Sequence, residues 1–369
     1  MSETCLSSRP VDGPAGRIRW ADVCYVGPAL LLLLFLTIPA LGNPPWRDED
    51  ATAAFSGLGF GDLVEATSHV DRVLMPYYAG IHWLQAAGLN LVGWRIVSLS
   101  ATLAATLLLY SVFRSRGVPL SGAVAAVAFV SSPVVQHNAV TARPYALATA
   151  GCTAATWGLT RVRGARGPGL VAWVGVPAAF SVWMHPFSAA LLLPHVFWSA
   201  LTDRRVVKRV VAAWAVALLV EVPIVGSALR QADQAGWIPP ATVGSMVSAV
   251  QEASGRPAPL VAMVAIAGVM AALGWKGPAP RNRAVMAALG VAIWCSAVGL
   301  VVGVSVFGRP AGIPRYLVAV PLGVALALGG IAAVGEARWG FGTRRAPQRW
   351  SWASAGVIAL LCVFSAMSG

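Results

Sequence analysis

Acidic residues are few. The 369-residue chain holds 14 Asp and Glu against 27 Lys and Arg, and charged residues of both signs make up only 11% of it. A soluble domain carries about 25%, so the shortage excludes an ordinary water-soluble fold. Cysteine is scarce too. Cys5, Cys24, Cys152, Cys295 and Cys362 include no CxxC pair and no Cys/His spacing, so neither a disulfide nor a zinc site is expected. The alternating pattern of a membrane β-barrel is missing. No repeat of fixed period and no low-complexity tail is visible, and residues 1–369 read as one domain.

What fills the chain is apolar. It is 57% hydrophobic, with a mean hydropathy of +0.70. Runs of roughly 17–22 apolar residues recur, the length that crosses about 30 Å of hydrocarbon as helix. Peptide groups in lipid must be satisfied within their own segment, so these runs are helices. The expectation is an all-α, polytopic membrane protein. The net charge of +13 does not indicate nucleic acid, because the arginines sit in short clusters between apolar runs, where they orient membrane insertion.

Placing the helices depends on residues 76–93. This stretch is apolar enough to be read as a span, but His82, Gln85, Asn90, Tyr77, Tyr78 and Trp83 suit the headgroup region better. With 76–93 at the interface, eleven spans follow, at about 22–41, 94–113, 119–136, 143–160, 169–185, 187–201, 207–226, 259–275, 285–307, 315–334 and 350–366. The N-terminal tail, 1–20, is then cytoplasmic, and 19 of the 27 Lys and Arg fall on the cytoplasmic side. Making 76–93 a span would put most of them outside, against the positive-inside rule. Ala40-Leu41-Gly42 is a weak cleavage motif, but the first run reads better as a retained span. Two long outer segments remain, 42–93 and 227–258.

The first of these collects the rare acids. Asp48, Glu49, Asp50, Asp62, Glu65 and Asp71 are six of the fourteen. The same predicted face gathers His69, Tyr77, Tyr78, His137, Arg143, Tyr145, His185, Trp237, Arg309, Arg315 and Tyr316. A carboxylate can take a proton from an acceptor hydroxyl, arginine can hold a phosphate by charge-assisted hydrogen bonds, and aromatic rings can stack on a sugar. Blander roles are open for most of these residues. Asp48 suits a helix N-cap, Arg143-Pro144 and Arg315-Tyr316 suit interface anchors, and the mid-span His195 suits a satisfied core position. Glu221, beside Pro223 in the seventh span, is ionisable at membrane depth and therefore a functional candidate.

Five motifs occur in order: Trp46-Arg47-Asp48-Glu49-Asp50-Ala51-Thr52, His69-Val70-Asp71 with Pro76-Tyr77-Tyr78, Ala142-Arg143-Pro144-Tyr145-Ala146-Leu147, Trp237-Ile238-Pro239-Pro240 and Pro314-Arg315-Tyr316-Leu317. Over roughly residues 20–335 the chain resembles the GT-C glycosyltransferases of the family 39 type. It looks nearest to actinobacterial mannosyltransferase-like members, and more distantly like protein O-mannosyltransferases and aminoarabinose transferases. The resemblance implies a GT-C-like fold with juxtamembrane helices in the first outer loop. It also implies transfer of a sugar, such as mannose, from a polyprenyl-phosphate donor to an acceptor hydroxyl, with inversion, on the outer face of the cell membrane. Asp48 would be the catalytic base, with Glu49 as second candidate. Asp71 would match a further loop carboxylate, and Arg315 the arginine on the lipid phosphate. Relatives often read Gln-Glu-Ala-Arg-Pro-Tyr where this chain has Val140-Thr141-Ala142-Arg143-Pro144-Tyr145, so no carboxylate stands at 141. No cofactor is predicted, although Asp48, Glu49 and Asp50 offer oxygens that Mg²⁺ accepts.

Two other functions compete. A transporter or flippase of a lipid-linked sugar would place charge or broken helices at the bilayer midplane, often within an internal repeat. A non-catalytic scaffold would leave the acidic window without a common pocket.

Overall fold

Proline and asparagine punctuate the apolar runs, and the helices begin where they stand. The computed structural model describes residues 20–161, 169, 171–231, 242–254, 278–307 and 313–338, and the described residues form helices and turns with no strand. Helix α1 (Trp20–Thr37) ends in a 3-10 turn, Ile38–Gly42. Three short helices follow: α2 (Arg47–Ser56), α3 (Phe60–His69) and α4 (Met75–Ala86). Asn90 caps α5 (Leu91–Arg114) by accepting a hydrogen bond from the Gly93 N–H at 3.2 Å, which satisfies one of the unpaired donors at the helix start. Pro119 and Pro133 open α6 (Pro119–Val130) and α7 (Pro133–Ala139), where the missing N–H costs nothing.

The remainder is α8 (Tyr145–Arg161), α9 (Val176–Met184), α10 (Leu192–Thr202), α11 (Val207–Arg230), α12 (Val243–Ser254), α13 (Pro278–Val306) and α14 (Val320–Arg338). Helices α13 and α14 touch backbone to backbone. A Cβ at Gly290 would strike the backbone of Ala327, and one at Gly330 the backbone of Ala287. Small residues of this kind let helices pack where lipid gives no hydrophobic drive to association.

Among the described residues, four helical segments are long and apolar enough to cross a membrane: Trp20–Gly42, Leu91–Arg114, Arg204–Ser227 and Ala284–Val306. The pair α6 and α7, bent by 72°, makes a fifth if counted as one broken span; Pro133 at the break accounts for the kink. Leu31, Phe35, Leu193, Leu219 and Val222 are exposed on the helix flanks, as contact with acyl chains requires. The chain is therefore a helical membrane protein. Of the other predicted spans, 169–185, 187–201 and 315–334 correspond to the shorter apolar helices Ala172–Met184, Pro186–Thr202 and Val320–Val334, and 143–160 to the 17-residue α8. Those at 259–275 and 350–366 lie outside the described residues. Within residues 76–93 the helix α4 has 12 residues, about 18 Å at 1.5 Å per residue, shorter than the roughly 30 Å of hydrocarbon.

Two apolar cores result. The larger one fills the bundle around Leu109, Phe113, Phe129 and Trp214. A smaller one joins Leu63, Tyr78 and Ile81 of α3 and α4 to Trp94, Ala148 and Met184 at the ends of α5, α8 and α9. This second core seats the 42–93 segment as a folded cap on one end of the bundle.

Candidate functional site

Adjacent carboxylates on a helix point about 100° apart, and Asp48 and Glu49 in the first turn of α2 have opposite fates. Trp46, not Asp48, is the N-cap residue; its backbone N–H is held by the Glu49 carboxylate at 3.2 Å. Glu49 turns inward. Its side chain is 2% exposed and pairs with Arg95 of α5, whose Nε and Nη2 donate to the two carboxylate oxygens at 2.9 and 2.6 Å. The Ala142 N–H donates to it as well, at 2.7 Å, and Arg95 Nη1 reaches the carbonyls of Leu41 and Asn43. Burial would raise the Glu49 pKa, but the bonds from Arg95, Ala142 and Trp46 outweigh it and hold the carboxyl below its ordinary range. With both oxygens engaged, Glu49 is an anchor that ties α2 to α5 and to the break before α8, and it does not reach the cavity. Arg95 was not among the expected site residues; a guanidinium near the start of an apolar helix needs a buried partner, and that is the signal for it.

Asp48 turns the other way. Its side chain is 28% exposed, its Oδ2 accepts from Arg315 Nη1 at 2.7 Å, and Arg143 Nη2 lies 3.6 Å away. Arg143, buried just before α8, also donates to the Asp48 carbonyl at 3.0 Å and reaches the Tyr78 hydroxyl at 3.5 Å. Burial holds the Tyr78 phenol well above its usual pKa, so it keeps its proton and donates to Asp71 at 3.3 Å. Phe55 stacks on Tyr78 with ring centroids 4.9 Å apart. Arg315 and Tyr316 lie on a 3-10 turn, Pro314–Tyr316, ahead of α14. The predicted span from 315 therefore starts later, at Val320, and this leaves the arginine free of helix geometry to meet α2.

These groups face a cavity of about 890 Å³. Asp48, Asp71, Arg143, Tyr145, His185, Arg315 and Tyr316 all line it, a convergence that the scaffold reading does not provide. On one wall Tyr145, Phe187 and Tyr316 surround His185. Burial, then Arg315 and Arg143, lower the His185 pKa to about 3, so its imidazole is neutral. Burial pushes the Tyr316 phenol up to about 12. No family model, curated protein or solved structure matches this chain.

The other expected site residues are placed elsewhere. Tyr77 and Tyr78 lie beneath the wall in the smaller core. His69, at the C-terminal end of α3, is exposed and does not line the cavity. His137 sits edge-on to Trp46 at 5.7 Å, is exposed and is not among the cavity-lining residues. Thr141 turns its hydroxyl to the His137 carbonyl at 2.6 Å. Trp237 and Arg309 lie outside the described residues. His195 is fully buried, bonded to Thr156 and Trp214 at 3.0 and 3.2 Å.

Asp50, from the acidic window, also borders the cavity, and so do Trp46, Arg47, Phe187 and Gln231, which were not among the expected site residues. Gln231, just past α11, accepts from the Arg72 N–H at 2.9 Å and donates to the carbonyls of Thr67 and Ser68, pinning the cap to the bundle. Among the described residues no group of three His, Cys, Asp or Glu is arranged to hold a metal; Glu49 faces away from the cavity that Asp48 and Asp50 border.

Proposed function

We propose that this chain is a membrane glycosyltransferase that moves a sugar, with mannose favoured by the resemblance, from a polyprenyl-phosphate donor to an acceptor hydroxyl with inversion. The observation that carries the proposal is the Asp48 carboxylate, partly exposed in a cavity of about 890 Å³ and held between Arg315 and Arg143. A carboxylate beside two guanidiniums is equipped for a reaction in which a proton is accepted and an anion departs.

In this scheme the donor phosphate competes with Asp48 for Arg315. Once it has taken that guanidinium, Asp48 is released to accept the proton of the acceptor hydroxyl, a role worth about 10²–10⁴-fold in rate. The hydroxyl oxygen attacks the anomeric carbon from the face opposite the phosphate. The C–O bond to phosphate breaks, the bonding pair leaves with the phosphate on Arg315 and Arg143, and the configuration inverts. Glu49, buried with both oxygens bonded, takes no part in proton transfer. The accompanying topology is eleven spans with the N-terminus in the cytoplasm and the cavity on the outer face, resting on the positive-inside rule.

The test is transfer from a panel of radiolabelled polyprenyl-phosphate sugars by the purified chain, with Asp48→Asn as control. One donor should support transfer that the variant loses. Full activity in Asp48→Asn would remove Asp48 as the base.

The second reading, a lipid-linked-sugar transporter or flippase, draws on Glu221. This carboxylate lies inside α11, is 1% exposed and has neither oxygen hydrogen-bonded, the kind of intramembrane charge that transport uses. Lipid-linked sugar crossing reconstituted vesicles without glycosyl transfer, and stopping in Glu221→Gln, would favour it.

A further inference from the structure

The aromatic wall of the cavity contains polar atoms that the proton and phosphate steps leave unused. His185 follows α9 in extended backbone, with φ −159° and ψ 115°, and its 5% exposure makes it one of the most enclosed lining residues. Three rings surround the imidazole: Tyr145 at 5.3 Å, Tyr316 at 5.5 Å and Phe187 at 5.6 Å between centroids. Phe187 and Tyr316 stack on each other at 5.1 Å and 11°. Inside this box His185 Nδ1 has no hydrogen-bond partner, and neither does Nε of the neighbouring Arg143, itself 7% exposed. Buried nitrogens left without partners are costly and call for an explanation such as a missing ligand.

The chemistry of the box narrows that ligand. A lipid tail would fill the apolar walls but leave Nδ1 unbonded. A phosphate finds its charge partners at Arg315 and Arg143, while the buried, neutral imidazole has no charge to offer. A neutral imidazole can donate at one nitrogen and accept at the other, which suits a hydroxyl. Flat aromatic faces suit the C–H faces of a pyranose ring. The stacked pair, Phe187 and Tyr316, is half-buried and the least enclosed part of the box.

We propose that His185, with Tyr145, Phe187 and Tyr316, forms the subsite for the uncharged sugar ring of the donor, and that His185 selects it through a ring hydroxyl. This rests on the glycosyl-transfer reading and divides the cavity into two parts. The guanidiniums take the phosphate, and the histidine box takes the sugar.

The experiment measures binding of two probes to the purified full chain in detergent: bare polyprenyl phosphate and polyprenyl-phosphate mannose. Wild type should bind the glycosylated lipid about ten-fold more tightly, the scale of one added hydrogen bond with ring contact. In His185→Phe that gap should close while affinity for the bare phosphate stays unchanged. His185→Asn, whose amide occupies the Nδ1 position, should restore most of it. If His185→Phe does not fold, Tyr316→Leu gives the same reading by removing one face of the box. A gap that survives in the variants overturns the subsite. Equal binding of both lipids by wild type overturns the subsite and leaves the transferase reading standing, whereas binding of neither lipid overturns both.

Discussion

The two ends of the helix bundle treat their carboxylates differently. At the end away from the cavity, Asp22 of α1 is buried between the Tyr110 hydroxyl at 3.0 Å and Arg114 Nε at 2.7 Å. Nearby, Glu336 of α14 accepts from both the backbone N–H and the hydroxyl of Ser121, satisfying a donor at the start of α6 that the helix cannot. These acids fasten one helix to the next. At the cavity end the first turn of α2 contains both kinds: Glu49 is fastened, and Asp48 is open to solvent and bonded to arginines that can exchange it for another anion. Asp22, Glu336 and Glu49 are each held by partners on another helix, whereas Asp48 stays where water and a ligand can reach it.

That contrast can be broken on the sealed side first. Arg95→Ala leaves Glu49 buried without its cation, and removing one partner of such a pair costs about 3–5 kcal/mol. The expected outcome is a cap that detaches from the bundle, read as a large fall in thermal stability and loss of all transfer. On the open side Asp48→Asn should lower transfer by about 10²–10⁴-fold with the melting temperature unchanged; a comparable loss of stability would mean that Asp48 is fastened like Glu49. Arg315→Lys keeps the charge but loses the planar fork, so about ten-fold weaker donor binding is expected, seen as a raised KM.

Smaller effects sharpen the comparison. Because the folded-state pKa of Glu49 is depressed, its contribution is complete above the ordinary glutamate value of 4.5 and disappears as pH falls through the lower, folded-state value. Melting temperature measured from pH 7 to 3 should drop more steeply in wild type than in Glu49→Gln. The mildest change is expected for Gln231→Ala, which frees Arg72 and the end of α3 from α11. Proteolysis within the cap should quicken several-fold while the bundle stays intact.

Much of this was legible in the residues. Helix-length apolar runs and the scarcity of acid were enough for a helical membrane protein, and the polar character of 76–93 set that segment apart from the long apolar helices. Asp48, Arg143, Tyr145 and Arg315 could be grouped by motif order, and His185 by the membrane face it was expected to share with them. What sequence could not supply was pairing at a distance. Arg95 meets Glu49 across 46 positions, and Gln231 meets Arg72 across 159. Neighbouring letters in Asp48-Glu49 face apart on any helix, but which of them turns to the core depends on where Arg95 and Ala142 arrive. Helix starts were less certain for a related reason: Pro314 and Pro144 each delay the helix and place the arginine beside them on a turn.

The gap between α7 and α8 has a consequence for how the cavity is assembled. Because α7 stops short, the peptide groups of Thr141 and Ala142 are not used up in a helix. Ser98 binds the Thr141 carbonyl, Glu49 the Ala142 N–H, and Thr52 the Ala142 carbonyl. The connection from α7 to α8 is thus a template on which a segment about ninety residues earlier is laid. The position of Asp48 is inherited from that template, so lengthening or shortening the chain between Val130 and Tyr145 by one residue would shift the carboxylate without altering any residue of α2.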